Sequence, residues 1–181
     1  LYGRIDLALF TDAELPPEIA FTPLLEEDFY WLCAPADDPW PAGQVLDLEQ
    51  AFARPLVWPG AAHGHCTRAI VERVAARHGV CAAPPALEVN SVHILKSAVQ
   101  AGLGPTLMPL NLARRELEEG RLTAHRVDCP ALYRTLGICV STRMPPTPAR
   151  EAVAALIGEV VNRMGEQGQW PGSRRLSNGP T

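Results

Sequence analysis

The sequence predicts an α/β fold with a mainly parallel sheet, because strand-like and helix-like segments alternate along the chain with short loops between them. Ile5–Phe10 is a nearly continuous apolar run, as in a strand that is covered on both faces. Ala86–Pro109 contains a strand, a helix and a second strand, which implies a crossover between parallel strands. Pro148–Met164 has the regular apolar periodicity of a helix.

In the first third of the chain, the sequence predicts short elements separated by loops rich in proline and glycine. Pro23–Leu25 and Phe29–Ala34 are expected strands, and the second is rich in aromatic residues. Asp37–Gly43 is an expected loop, and Leu48–Phe52 is an expected helical turn. Leu56–Trp58 is a further short strand.

The central stretch, Ala86–Pro109, is predicted to form the most compact unit. Ala86–Val89 is an expected strand, and both Asn90 and Ser91 are favourable N-cap residues for the helix that follows. The apolar residues of that helix recur at i, i+3 and i+7 (Val92, Leu95 and Val99). Gly102 can adopt the left-handed conformation that ends a helix, and Pro105–Pro109 is expected to continue as a buried strand.

The remaining expected elements are two helices and two strands: Cys66–His78, Leu110–Glu119, Leu122–Val127 and Leu136–Ser141. The last helix has a strong start, because Thr147 can cap it and Pro148 suits the first helical position. The charged residues of 114–119 are expected to form a solvated helix face. Residues 166–181 lack periodicity, and we expect them to be disordered.

The composition is that of an ordinary globular protein of one domain or two small lobes: 181 residues, 47% hydrophobic, 20% charged and a net charge of −4. The acidic balance argues against a nucleic-acid surface on this chain. No apolar run approaches the roughly 20 residues that span a bilayer, and no segment resembles a signal peptide. The five scattered cysteines predict reduced, mostly packed thiols and a cytoplasmic protein.

A candidate binding site follows from the central stretch. The loop Asn90–Ser91 is expected at the carboxyl edge of the sheet, where open α/β folds bind their ligands. The unpaired N–H groups of the helix that begins near Val92 suit a small anion or carboxylate. The alternative is that Asn90 and Ser91 only cap the helix, and the two roles are compatible.

Five segments in order carry a family resemblance: LYGRIDLALF, EEDFYWLCAPADDPW, RPLVWPG, EVNSVHILKSAVQAGLGPTLMP and ELEEGRLTAHRVDCPALYRTLGICVS. From Leu1 to about Arg163 the chain resembles the effector-binding domain of LysR-type transcriptional regulators. The HG pair at His63–Gly64 and the NS pair at Asn90–Ser91 are most similar to the branch that includes nitrogen-assimilation control proteins.

The resemblance implies a type 2 periplasmic-binding-protein fold, in which two α/β lobes hold a small-molecule effector between them. Residues 1–33 with 139–165 would form the first lobe, and residues 34–138 the second. The family's DNA-binding winged helix-turn-helix and the first strand and helix of the first lobe are absent from this sequence. Because the chain begins at Leu1 rather than Met, we expect it to be truncated at its N-terminus.

The resemblance also implies self-association. In the family, one helix and one strand edge of each lobe meet a second subunit, and Cys66–His78 and Phe29–Cys33 are the candidates here. The full-length protein would form a dimer or tetramer that binds DNA. An unpaired sheet edge beside Ile5–Phe10 would also favour association.

Further candidate ligand contacts lie at two other strand ends. The loop after the strand Leu56–Trp58 supplies Trp58, Gly60, His63 and Gly64. His63 could hydrogen-bond an anion, although a lone surface histidine is more often solvated. Phe10 and Thr11 end a strand of the other lobe and would face the cleft. Thr106 is either a contact or, as its place in a strand favours, a packed residue.

A zinc site and a hydrolase site are both disfavoured by the spacing of the residues they would need. The H-x-H-C motif of residues 63–66 would need a second ligand pair to bind structural zinc, and the helix that follows would hold His78 and Cys81 apart from it. Ser91 and His93 point to different sides of a helix, and the sequence has no G-x-S-x-G elbow. We therefore expect an effector sensor without cofactor or metal, not an enzyme. The alternative is a solute-binding protein of a transport system.

Overall fold

The computed structural model describes residues 5–11, 15–60 and 66–176. In chain order the strands and helices are β1 Leu7–Thr11, β2 Ile19–Cys33, α1 Leu48–Phe52, β3 Val57–Pro59, α2 Cys66–Arg77, β4 Leu87–Val89, α3 Val92–Gln100, β5 Thr106–Pro109, α4 Arg114–Glu118, β6 Thr123–Arg126, β7 Tyr133–Ser141, α5 Pro148–Glu166 and β8 Ser173–Arg175. None of the helices in these residues has the length and apolar character needed to cross a membrane.

The chain divides into two compact units. Unit 1 comprises Leu1–Glu27 with Arg134–Thr181, and unit 2 comprises Asp28–Tyr133. Both passages between the units lie inside strands, since β2 contains the first passage and β7 begins one residue before the second. The division therefore falls a few residues before the expected lobe boundaries at Cys33 and Cys139.

Unit 1 is built from antiparallel strands and one long helix. Strand β1 pairs antiparallel with β7, and β8 pairs antiparallel with β2. The start of α5 matches the prediction, because the Thr147 hydroxyl accepts the Arg150 N–H at 3.2 Å. The core of unit 1 is a small apolar cluster around Leu25, Leu136 and Val161.

Unit 2 has a mixed sheet in which β2 lies between β5 and β6 and runs antiparallel to both. Strands β3 and β4 form a parallel pair. The Val57 N–H donates to the Pro105 carbonyl at 2.7 Å, which links this pair to the residue that precedes β5. Residues of β2 alternate between two apolar clusters, because neighbouring side chains of a strand point to opposite faces. Phe29 and Trp31 enter one cluster, and Leu32 enters the other.

The α/β fold class is confirmed, but the strand directions need a correction. The parallel expectation holds for β3 and β4, and β5 and β6 run the same way as each other. The registered ladders of β2 and of β1, by contrast, are antiparallel. The reason is that one long strand, β2, occupies a central position in the sheet and runs against its neighbours.

Two local expectations were also wrong. Leu110–Glu119 is not one helix: Leu110–Ala113 is a 3-10 turn, and Ala113 has φ −115° and ψ 12°, which interrupts the helix before α4. Residues 166–181 are not disordered over their described part, because β8 pairs with β2 and Trp170 packs on the cluster of unit 1. Residues 177–181 lie outside the described residues.

The described cysteines form no disulfide, in agreement with the prediction of reduced thiols: Cys33, Cys81, Cys129 and Cys139. All of these except Cys81 are buried. Burial raises the pKa of the Cys33 thiol to about 11, so that this thiol stays protonated at neutral pH.

Candidate functional site

The carboxyl ends of β3 and β4 meet at one edge of unit 2. The two strands are parallel, with Pro59 opposite Val89, so the residues that follow them emerge side by side. The Gly60 N–H donates to the Val89 carbonyl at 2.8 Å and holds the two strand ends together. The two strand ends therefore meet at the edge that the sequence predicted as a candidate binding site.

Gly60 and Asn90 are in direct contact at this edge. A Cβ atom on residue 60 would lie 2.5 Å from the Asn90 Oδ1, closer than real Cβ contacts come. Glycine therefore leaves room for the Asn90 side chain, which is exposed to solvent. A larger residue at position 60 would displace that side chain from the edge.

Helix α3 begins directly after Asn90. Ser91 occupies the N-cap position, as predicted, with an extended backbone, and its carbonyl accepts the Leu95 N–H at 2.8 Å. The expected capping bond by its side chain is absent, so the hydroxyl is not used by the helix. Val92 is the first helical residue, and the N–H groups of the first turn face the same edge as the strand ends.

Trp58 and Thr106 have packing roles in unit 2. Trp58 is 1% exposed, and its ring lies 6.4 Å from that of Phe52 in the apolar cluster. The Thr106 hydroxyl is buried and donates to the Val57 carbonyl at 2.8 Å, which fits the packed alternative. The side chains of both residues are therefore buried in the interior of unit 2.

The other predicted contacts lie in unit 1 or outside the described residues. On β1, Phe10 is 44% exposed and sits opposite Gly137, whereas Thr11 is buried opposite Leu136. His63 and Gly64 lie outside the described residues. Within residues 5–11, 15–60 and 66–176, no three His, Cys, Asp or Glu side chains are grouped as metal ligands.

Sequence reasoning missed a buried ion pair behind α3. The Lys96 ammonium on α3 lies 2.8 Å from the Glu116 Oε1 on α4, and each side chain is 11% exposed. Burial would raise the pKa of Glu116, but the hydrogen bond and charge of Lys96 lower it. Glu116 is therefore not part of a solvated face, and its ion pair ties α3 to α4.

A second buried polar group, His125, was also missed. Its Nδ1 lies 3.0 Å from the Gln44 carbonyl, which can only accept, and its Nε2 lies 2.9 Å from the Asp38 carboxylate. Both ring nitrogens therefore face acceptors. Burial would raise the pKa of Asp38, but hydrogen bonds from His125, Thr123 and the Trp40 N–H lower it.

This α/β fold is of the type 2 periplasmic-binding-protein kind and is shared with solved regulatory and effector-binding domains. The family model described as the LysR substrate binding domain matches residues 1–162, and the chain belongs to this family. The resemblance noted in the sequence is thereby confirmed.

Individual relatives agree with this assignment. The chain is 27% identical to the nitrogen assimilation regulatory protein nac of Klebsiella aerogenes over 166 residues, which cover 90% of this chain and 51% of that protein. It spans about half the length of the curated relatives it matches. The first of these relatives is named a regulatory protein, and another, from Emiliania huxleyi, is named a probable RuBisCO transcriptional regulator.

Solved structures share the fold. The effector-binding domain of QuiR in complex with shikimate superposes with a TM-score of 0.71 at 17% identity, covering 90% of this chain and 72% of that one. The CcmR regulatory domain of Synechocystis PCC6803 in complex with 2-PG gives a TM-score of 0.72 at 19% identity, covering 89% and 76%.

Proposed function

We propose that this chain is the effector-sensing domain of a LysR-type DNA-binding regulator, and that it binds a small anionic metabolite at the edge formed by Gly60, Asn90 and Ser91. The observation that carries the proposal is the convergence of two strand ends and the start of α3 at this edge. The family membership supplies the regulatory context.

The chemistry of this edge suits an anion. The first-turn N–H groups of α3 lack partners within the helix and carry the positive end of its dipole. The Ser91 hydroxyl makes no capping bond and can donate to a bound oxygen, and the exposed Asn90 amide can donate as well. A carboxylate or phosphate would therefore find several donors within one turn of backbone.

The remaining parts of the proposal concern the whole protein. We place it in the cytoplasm, without catalytic activity, as a subunit of a dimer or tetramer that contacts DNA through a winged helix-turn-helix. Effector binding would act by shifting the population between two arrangements of the protein, limited by its difference in affinity for them. The regulators among the curated relatives support this role over that of a transport protein.

The test is a thermal-shift screen of the chain, and of the full-length protein, against carboxylates, phosphates and inorganic anions. Shikimate and 2-PG are sensible first members, because related folds hold them. A ligand that binds only the folded state adds about 2.7 kcal/mol of stability at a hundredfold excess over its Kd. We expect Ser91→Ala and Asn90→Ala to reduce the shift given by a hit.

The matched control is Ser97→Ala, the same substitution on an exposed residue of the same helix. It should leave the shift unchanged. A shift that survives Ser91→Ala and Asn90→Ala undiminished would contradict the proposed edge. A full-length protein whose operator binding does not respond to any hit would contradict the sensing role.

A further inference from the structure

A buried carboxylate sits at the point where the chain leaves unit 1. Glu27 is 1% exposed, and it is the last residue of β2 that belongs to unit 1. Its Oε2 accepts from both the Nε and the Nη2 of Arg134 at 2.6 Å. Arg134 is the residue at which β7 re-enters unit 1, so this ion pair joins the two strands that carry the chain between the units.

The other oxygen of Glu27 is satisfied from a distant part of the chain. The indole Nε1 of Trp170 donates to the Glu27 Oε1 at 2.7 Å. Trp170 lies in the segment of residues 167–176 that follows α5, which we name the C-terminal segment. Its ring packs on the cluster that contains Leu25 and Val161.

The C-terminal segment is attached to β2 by three kinds of contact. Strand β8 pairs with Leu25–Glu27, with Ser173 directly opposite Glu27. On the exposed side, the Arg174 Nε donates to the Glu26 carboxylate at 2.6 Å. In the interior, Trp170 completes the hydrogen bonds of Glu27. The segment thus contacts Glu27, the residue of β2 that also pairs with Arg134.

We propose that the C-terminal segment controls how readily the two connecting strands open at Glu27 and Arg134. A buried carboxylate is costly unless each oxygen keeps its donors, so release of Trp170 exposes the ion pair to water and loosens both strands together. Release of the C-terminal segment would therefore loosen unit 1 at Glu27 and Arg134. This inference does not depend on the effector site.

The experiment is hydrogen–deuterium exchange of the whole chain, read by mass spectrometry. Trp170→Phe keeps an aromatic ring but removes the donor, and Arg174→Glu replaces attraction to Glu26 with repulsion while leaving the interior intact. We expect both variants to speed exchange on the order of tenfold in β8 and around Glu27 and Arg134. Exchange in α2, which belongs to unit 2, should not change.

Arg143→Glu is the matched control, because Arg143 forms an equally short exposed pair with Glu18 in the same unit, at 2.6 Å. It should leave the connecting strands unchanged. Faster exchange confined to β8, with Glu27 and Arg134 unaffected, would overturn the proposal. So would an equal increase in α2. If Trp170→Phe does not fold, Arg174→Glu alone decides between these results.

Discussion

The long strand β2 contributes buried residues to both units, but these residues are stabilised by different means. In unit 2 its residues Phe29, Trp31 and Leu32 enter apolar clusters on the two faces of the sheet. In unit 1 its most buried residue is Glu27, a charge held by Arg134 and Trp170. The part of β2 in unit 2 is therefore buried among apolar side chains, whereas Glu27 in unit 1 depends on two specific partners.

This difference indicates where the protein should tolerate substitutions and where it should not. Apolar burial is non-directional and scales with area, so a cluster loses stability in proportion to what is removed. A buried ion pair contributes little over an apolar replacement, yet removal of one partner leaves an uncompensated charge. Unit 1 should therefore respond abruptly to single substitutions around Glu27.

The largest expected effect is that of Arg134→Met, which leaves Glu27 buried without its cation. We expect it to cost about 3–5 kcal/mol of unfolding free energy, measured by urea denaturation. Arg143→Met, which breaks the exposed pair with Glu18, should cost about 0–1 kcal/mol. Equal losses in the two variants would contradict the role given to burial.

The second prediction compares double replacements in the two units. Lys96→Met with Glu116→Leu removes a whole buried pair, and we expect it to recover most of the loss that Lys96→Met causes alone. Glu27→Leu with Arg134→Met should remain about 1–3 kcal/mol less stable than the parent, because the Trp170 N–H then has no acceptor. Urea denaturation of both double variants measures the difference, and equal recovery would refute the role given to Trp170 as the second partner of Glu27.

The smallest expected effect concerns pH. The folded pKa of Asp38 lies below its ordinary value of 3.8, so its contribution to stability is present above about pH 4 and is lost as pH falls through the folded pKa. Asp38→Asn should therefore flatten the acid limb of unfolding free energy against pH. The exposed Asp128→Asn is the control and should keep the parent's slope. An unchanged slope in Asp38→Asn would contradict the prediction.

Local patterns predicted much of the fold. The start of α5 at Thr147, the turn at Leu48–Phe52 and the glycine with φ +77° at position 102 all follow from residues a few positions apart. Capping and helix periodicity are interactions between near neighbours, so the sequence displays them directly. The strand-to-helix junction at Asn90 and Ser91 was predicted for the same reason, because residues close in sequence determine it.

Side-chain roles were harder to predict wherever the decisive partner was distant. Trp58 and Thr106 sit at suitable positions in strands, but their side chains are committed to the interior. Glu116 lies in a run of charges typical of a solvated surface, yet Lys96 draws it into a buried pair. A charge pattern records the types of residue present and not the element that packs on them.

The sequence by itself determined the order of most elements, the starts of α1, α3 and α5, and the family to which the chain belongs. Only the tertiary structure decided that Glu27 and Arg134, 107 residues apart, form a buried pair, and that Trp170 completes it. The physical reason is the distance along the sequence over which each kind of interaction acts. Backbone geometry and capping act within a few residues, whereas the pairing of buried charges depends on which strands the folded chain brings together.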